Sequence, residues 1–536
     1  MKNIIYNNKG IKPLVPYLKS YILFMKSSAS VLKRIFNLLL VTLLIWNFNL
    51  NSAFAQAQEN RSITPYLEQV KNNVTEFTLN NGLKFIILEN HQAPIVSFVT
   101  YVDVGAVDEP EGQTGVAHYL EHLAFKGTSE IGTINYEEEK PLLEKLDSLF
   151  DQIQKARAEN DPEKLAQLEA QFREVNQQAS EYVNQNEFGQ IVEIEGGVGL
   201  NAATSADYTA YFYNFPSNKL ELWMYLESNR FLDPVFREYY EEKDVILEER
   251  RLRTDNSAIG KMVEEFLLTA FVSHPYRRPV IGFEEDIRNL TTANVQDFFD
   301  THYGGSNITI AMVGDVNPDE ARSMAQEYFG RFPDSVKPSS LTINEPEQRE
   351  TRNVVVEYPS QPLYFEGYHI PSLNDPDYVV YEIMGSILSD GRTSRLYKSL
   401  VEEEKVALSV SGFSGFPGNK YENLMLFYGV SAPGRSLDEL AIELDKEIEK
   451  LKTELVSTEE LERVKTQATA NLLRSVNSNS GMANLLAQYQ AKTGDWRNVF
   501  TRLEAINAVS AEDIQRLAQQ TFTDEHKTIG KLETVS

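Results

Sequence analysis

The sequence predicts an α+β protein built as a duplication: two α/β-sandwich half-domains with mixed, largely antiparallel sheets, the first carrying a helical hairpin. Three observations support this. Strand and helix patterns alternate through both halves, and the order of elements before residue 331 recurs after residue 350. The stretch between them, Arg331–Glu350, is rich in Pro, Ser, Asp and Glu and reads as a linker. A chain of 536 residues is also too long for one core. The division expected is 1–57 for an export signal, 58–332 for the first half, 333–350 for the linker and 351–536 for the second half.

Hydrophobic residues make up 42% and charged residues 24% of the chain, proportions of an ordinary globular protein. The first 57 residues hold seven Lys/Arg and no Asp/Glu, which leaves 44 basic against 78 acidic side chains in the remainder. Such a body repels phosphate backbones. That argues against nucleic acid as a partner and makes a solvated acidic surface the simplest reading. The absence of cysteine removes disulfides, thiolate nucleophiles and Cys-based zinc sites together. Near the start, Lys33-Arg34 precede an apolar run from about Leu38 to Trp46, followed by Ala53-Phe-Ala55-Gln-Ala57. A basic start, a short apolar core and an Ala-x-Ala exit make a cleaved secretory signal, so a periplasmic or secreted location is expected. The apolar core falls short of the ~18–20 residues that span a bilayer, and an uncleaved tether is the alternative. Translation from Met25 would give a signal of conventional length.

Taken in order, Glu76–Leu88 holds two β-rich runs around Asn81-Gly82, a hairpin signal. Ile95–Val104 is a third strand, with Val96, Phe98, Thr100 and Val102 on one face. A helix follows, with Thr114 as its N-cap. Glu137–Ala158 and Pro162–Asn186 carry apolar residues at helical spacing, and Asn160-Asp161-Pro162 breaks the run and starts the second helix. This is a helical hairpin over about 134–190, solvated outside and apolar along a narrow seam. Gly196–Asn214 returns to strand, Lys219–Arg230 and Tyr239–Arg253 are helical, Ser306–Val313 is a buried strand and Pro318–Phe329 a helix. Beyond the linker, Val354–Tyr358 and Tyr364–Tyr368 are strands, then Asp377–Leu388 and Gly391–Glu403 helices. Val406–Phe413 and Leu424–Val430 are strands, with helices at Ser436–Glu454 and Ser457–Arg474.

Chemistry concentrates in one helical turn, His118-Tyr-Leu-Glu-His122. Residues four apart share a helix face, so two imidazoles converge and can hold one divalent ion at the ~2.0–2.1 Å of zinc–nitrogen bonds. Glu121 lies beside that face, within reach of water on the ion. The order His-x-x-Glu-His is the inverted zincin signature. Taken singly, either histidine is as ordinary as a core residue. Two histidines leave a catalytic zinc one protein ligand short. Glu242 and Glu249 offer a third: they are seven apart, two helical turns, and so face one way. One of them can coordinate while the other orients a ligand histidine, although on sequence alone this acidic helix reads first as a solvated charge run. In the second half the matching helix reads Tyr381-Glu-Ile-Met-Gly-Ser-Ile387, which cannot bind zinc.

Gly115–Thr128, Glu242–Glu249 and His274–Gly282 together resemble the pitrilysin/insulinase family of inverted-zincin metallopeptidases. The two-domain bacterial and mitochondrial-processing-peptidase-like branch is the match, over residues 65 to 532. With the export signal, this resemblance implies an exported zinc endopeptidase that hydrolyses peptides or unfolded segments in a chamber made of two half-shells. It implies one Zn2+ per chain held by His118, His122 and Glu249, with Glu121 as the base and Glu242 in support. It also implies that peptide adds as a strand to the edge Leu200–Ser205, where Asn201 and Ala202 make the contacts.

Two departures from the family pattern matter. From His122 to Glu249 is 127 residues, longer than the usual interval by about the length of the hairpin, so the hairpin reads as an insertion that leaves the ligands intact. Relatives that complete the site from their second half carry an Arg and a Tyr seven residues apart, which anchor substrate and stabilise the oxyanion. Val401 and Leu408 stand at those positions here. A heterodimer is therefore expected, its partner a paralogous subunit without zinc ligands but with the Arg/Tyr pair. Arg392, Arg395 and Tyr397 are the nearby substitutes. The alternative function is a non-catalytic structural or peptide-binding subunit of the same fold.

Overall fold

The computed structural model describes residues 64–535, and the expected export signal lies outside the described residues. No helix among those described is long and apolar enough to cross a membrane. The chain divides into two units, Met1–Gln69 and Val70–Ser536. Of the first, only the start of a helix, Thr64–Asn72, is described; everything below concerns the second.

Two sheets organise that unit. β1 (Val74–Thr78), β2 (Lys84–Glu89), β3 (Ile95–Val102), β4 (Val198–Thr204), β5 (Thr209–Pro216) and β6 (Ile308–Gly314) form a six-stranded sheet in the order β1-β2-β6-β3-β5-β4. β7 (Arg352–Tyr358), β8 (Leu363–Ile370), β9 (Ala407–Phe416), β10 (Asn423–Ser431) and β11 (Lys527–Thr534) form a five-stranded sheet in the order β7-β11-β8-β10-β9. The duplication is visible in these orders. β2-β6-β3-β5-β4 and β7-β11-β8-β10-β9 each open with one parallel pair, followed by three antiparallel pairs. The helix carrying His118, Val116–Leu123, lies between β3 and β4 in the chain, and its counterpart Tyr378–Ser389 lies between β8 and β9.

Each half also covers the other's sheet. Helix Ala258–Ala270, from the first half, packs Met262, Phe266 and Leu267 into a buried cluster with Phe365, Leu424 and Leu532 of the second. Helix Asn479–Thr493, from the second half, packs on β3 and β6. Seven of the eight residues of β3 are consequently buried, where sequence alternation predicts one buried face.

The β1–β2 hairpin forms, with Gly82 at φ 90° in a loop that the Leu79 N–H to Leu83 carbonyl bond (2.9 Å) closes. A Cβ on Gly82 would meet Ser306 at 2.9 Å, so glycine is required there. The helical hairpin comprises Tyr136–Ala158 and Pro162–Ser180, the second helix ending at Ser180 where the sequence predicts Asn186, and a separate helix, Glu187–Ile194, follows. Asp161 caps its second helix by accepting the Lys164 N–H at 3.0 Å. The segment read as helix Gly391–Glu403 is π-helical over Tyr397–Glu403. Residues 333–349 have neither helix nor strand.

Candidate metal centre

The helix Val116–Leu123 buries Val116, Ala117, Tyr119, Leu120 and Leu123, which leaves Glu121 and His122 on its partly exposed side. Its entry corrects the sequence reading. Gly115, not Thr114, is the N-cap, at φ 91°, and a Cβ there would fall 2.7 Å from the Ile281 carbonyl. Thr114 instead donates its hydroxyl to Asp286 (2.6 Å) and accepts the Phe283 N–H (2.8 Å). The capping acceptor comes from outside the helix: buried Glu109 takes the Ala117 N–H at 3.0 Å.

Opposite runs the acidic helix Tyr239–Arg250. Its end is fixed by Arg250, which pairs with Glu264 (2.8 and 3.0 Å) and donates to the Gly282 carbonyl (2.8 Å). The stretch His274–Gly282 thus wedges between the entry of one helix and the exit of the other. The hairpin braces the other end. Arg237, fully buried, pairs with Glu139 at 3.0 Å and donates to the carbonyls of Lys126, Thr128 and Ile131. The Tyr240 ring sits 5.0 Å from Phe150 and 4.9 Å from Phe172 of the hairpin.

Between the two helices, His118 Nε2 and His122 Nε2 lie 3.8 and 3.6 Å from Glu249 Oε2, and one ligand atom from each residue falls within 4.8 Å of the others. Ligands at ~2.0–2.1 Å in tetrahedral array stand roughly 3.3 Å apart, so small side-chain adjustments would close this set around one ion. Two imidazole nitrogens and one carboxylate are a donor set suited to zinc. His122 Nδ1 lies 2.9 Å from Glu242, whose other oxygen takes Lys126 at 2.6 Å; the tautomer implied is Nδ1–H, with Nε2 bare. Glu249 Oε1 pairs with Arg253 at 2.7 Å, from the π-helical turn Arg251–Asp255. Glu121 Oε2 accepts the Thr204 hydroxyl at 2.6 Å. Beside Glu121 and His122 opens a cavity of about 290 Å³ between Phe125 and the hairpin's return at Asn184–Asn186.

Burial, aided by the charges of His122 and Arg253, lowers the His118 pKa to about 3, so its ring is neutral and able to ligate. Burial also opposes charge on His122, but Glu242 and the neighbouring carboxylates raise its pKa on balance. Burial raises Glu121 against its bond from Thr204. Glu242 is held at about 2 because His122 and Lys126 outweigh its burial.

Of the residues singled out in the sequence, five converge here: His118, Glu121, His122, Glu242 and Glu249. Asn201 and Ala202 lie on β4, the last strand of the first sheet, and the Ala202 N–H is taken by the Asn201 side chain at 2.9 Å. Val401 packs against the second core, and Leu408 is exposed on β9. Arg395 is engaged by Glu460 at 2.7 Å and Arg392 lies 3.7 Å from Glu402. Sequence reasoning missed Lys126, Arg253, Glu109 and Thr204. The first two stand four residues after a ligand and were findable by helical spacing; the others carry no local signal.

Residues 84–144 and 172–283 match the family profile described as insulinase (peptidase family M16), and residues 289–468 match that of the peptidase M16 inactive domain. The zinc protease PqqE of Helicobacter pylori is 28% identical over 464 residues, 84% of this chain and 90% of that protein. The mitochondrial-processing peptidase subunit beta of Dictyostelium discoideum is 24% identical over 499 residues, 88% of this chain and 91% of that one. A solved protease from Helicobacter pylori superposes with a TM-score of 0.72 at 26% identity, covering 86% of this chain and 99% of its own. The periplasmic protease PqqL from Escherichia coli shares the fold at a TM-score of 0.64 and 17% identity; 86% of this chain spans 48% of it.

Proposed function

The chain belongs to the insulinase (M16) family of peptidases, and on that premise we propose that it is the zinc-binding, catalytic subunit of an exported endopeptidase that cuts peptides or unfolded segments. The observation that carries this reading is the convergence of His118, His122 and Glu249 on one point, with Glu121 alongside. These three residues would hold the metal, and Glu242 would orient His122. Bound zinc would lower the pKa of a coordinated water towards ~7 and polarise the scissile carbonyl. Glu121 takes a proton from the attacking water and returns it to the leaving amine. Burial raises its pKa, the direction that makes a carboxylate a stronger proton acceptor. Peptide adds to the outer edge of β4 as a further strand, with Asn201 and Ala202 in contact.

Val401 and Leu408 can neither anchor substrate nor donate to an oxyanion, which supports completion of the site by a paralogous subunit bearing an Arg/Tyr pair. The hairpin is read as an insertion into the first half. The family profile skips residues 145–171, which supports this. Export rests on the pattern of residues 33–57.

The test combines metal analysis with peptide cleavage by wild type and Glu121→Gln, with and without the companion subunit. One zinc per chain is expected, with cleavage reduced roughly 10²- to 10⁴-fold in the variant. Zinc-free protein, or equal cleavage by both forms, would overturn the reading. One rival is a non-catalytic structural or peptide-binding subunit of the same fold, the second half matching an inactive domain in either case. That rival predicts bound zinc and no turnover in any assembly.

A further inference from the structure

We propose that Thr204 is the positioning residue for Glu121, so that the strand proposed to receive the peptide also aims the base. This rests on the zinc-peptidase reading above. Thr204 is the last residue of β4, paired with Thr209 across the turn to β5. Side chains alternate along a strand, so Leu200, Ala202 and Thr204 share one face. Leu200 and Ala202 pack against the core that contains Ala117, Leu120 and Leu123 of the His118 helix. The Thr204 hydroxyl is therefore delivered to that helix, where it donates to Glu121 Oε2 at 2.6 Å.

The turn that carries Thr204 is unusually well fixed. The Ser205 N–H bonds the Tyr208 carbonyl (2.8 Å), and the carbonyls of Ser205 and Ala206 accept the N–H groups of Ala106 (3.1 Å) and Val107 (2.9 Å). Asp207, fully buried, accepts from the Tyr276 hydroxyl at 2.5 Å and from the backbone amides of Asn419 and Lys420 at 2.7 and 3.1 Å. A hydroxyl on so rigid an element can hold a mobile carboxylate to one rotamer. The hydroxyl engages Oε2, and the Thr204 backbone adds a second hydrogen bond to the same carboxyl. A base held this way needs no reorientation when peptide docks along β4, and the gain appears in the chemical step rather than in binding.

Thr204→Val tests this, because valine keeps the shape and strand preference and removes only the hydroxyl. The zinc-loaded protein is purified from its own cells with whatever subunit accompanies it, and assayed on a peptide it cleaves. The expected result is a kcat lowered roughly ten- to a hundredfold, with KM and zinc affinity, measured by chelator competition, changed by no more than about twofold. Thr204→Ser should restore most of kcat. In a Glu121→Gln background, Thr204→Val should remove nothing further from the residual rate. An unchanged kcat, a change in KM alone, failure of serine to rescue, or an additional loss in the Glu121→Gln background would each overturn the proposal. A wild-type protein without zinc-dependent cleavage would instead remove the peptidase reading on which it stands.

Discussion

Glu109 shows how one side chain both builds the site and makes the fold sensitive to pH. Its carboxyl is buried at the head of the His118 helix, where it accepts the Ala117 N–H, and burial raises its pKa to about 8 against bonds from Ala117 and Gly115 that favour the charge. The folded state therefore holds this proton more tightly than the unfolded chain, whose carboxyl titrates at 4.5. The contribution is fully present below about 4.5 and is lost as pH rises through about 8. Glu109→Gln keeps the acceptor and discards the charge. Thermal unfolding of the two proteins between pH 5 and 9 should show the variant gaining on wild type as pH rises, by on the order of a few kcal/mol at the alkaline end. Parallel curves across that range would mean that the charge is accommodated where it lies. The same physics keeps His118 neutral, the state in which an imidazole can bind a metal.

Among the elements, the helical hairpin decides how firmly the two site helices are braced. Arg237 spans from Glu139 of the hairpin to three carbonyls in the loop that follows the His118 helix, and Lys126 in that loop reaches Glu242. Glu139→Ala would leave a guanidinium buried without its counter-charge, a loss of about 3–5 kcal/mol. Hydrogen exchange should then quicken over residues 126–132 and over helix Tyr136–Ala158. Unchanged protection would show that Tyr240, Phe150 and Phe172 hold the hairpin by themselves. The hairpin is legible in the sequence because its helices carry their own period and their own breaker at Asn160-Asp161-Pro162. Its docking is not, because nothing local marks Arg237 or Tyr240 as anything but surface residues. The same division runs through the site. His118 and His122 declare themselves by spacing along one helix. Glu242 and Glu249 share a face of a helix that by itself reads as solvated charge, and the family resemblance singles them out. Thr204, by contrast, reaches Glu121 only through the pairing of β4 with β5. Helices Ala258–Ala270 and Asn479–Thr493 escape the sequence reading for a related reason: each fits a surface contributed by the other half.

That exchange of helices governs the molecule as a whole. The first sheet's β3 is buried on both faces only because Asn479–Thr493 covers it, and β7 and β11 are covered in turn by Ala258–Ala270. At the seam, Asp207 of the first half collects the amides of Asn419 and Lys420 and the Lys492 ammonium (3.3 Å) of the second, while Asp103 pairs with Lys420 at 2.6 Å and Lys337 at 2.9 Å. Two domains joined only by a linker would melt separately, but halves that bury each other's sheets share one transition. Asp207→Ala tests whether the polar seam or the exchanged helices enforce that coupling. The substitution strands a buried ammonium and two backbone amides, with an expected loss of about 3–5 kcal/mol. Scanning calorimetry should resolve two transitions in the variant where wild type has one. If His118, His122 and Glu249, all of the first half, hold zinc as proposed, added zinc should raise only one of the two. A single transition in the variant, lowered but intact, would assign the coupling to Met262, Phe266 and the helix Asn479–Thr493. The seam would then serve chiefly to fix the turn that carries Thr204.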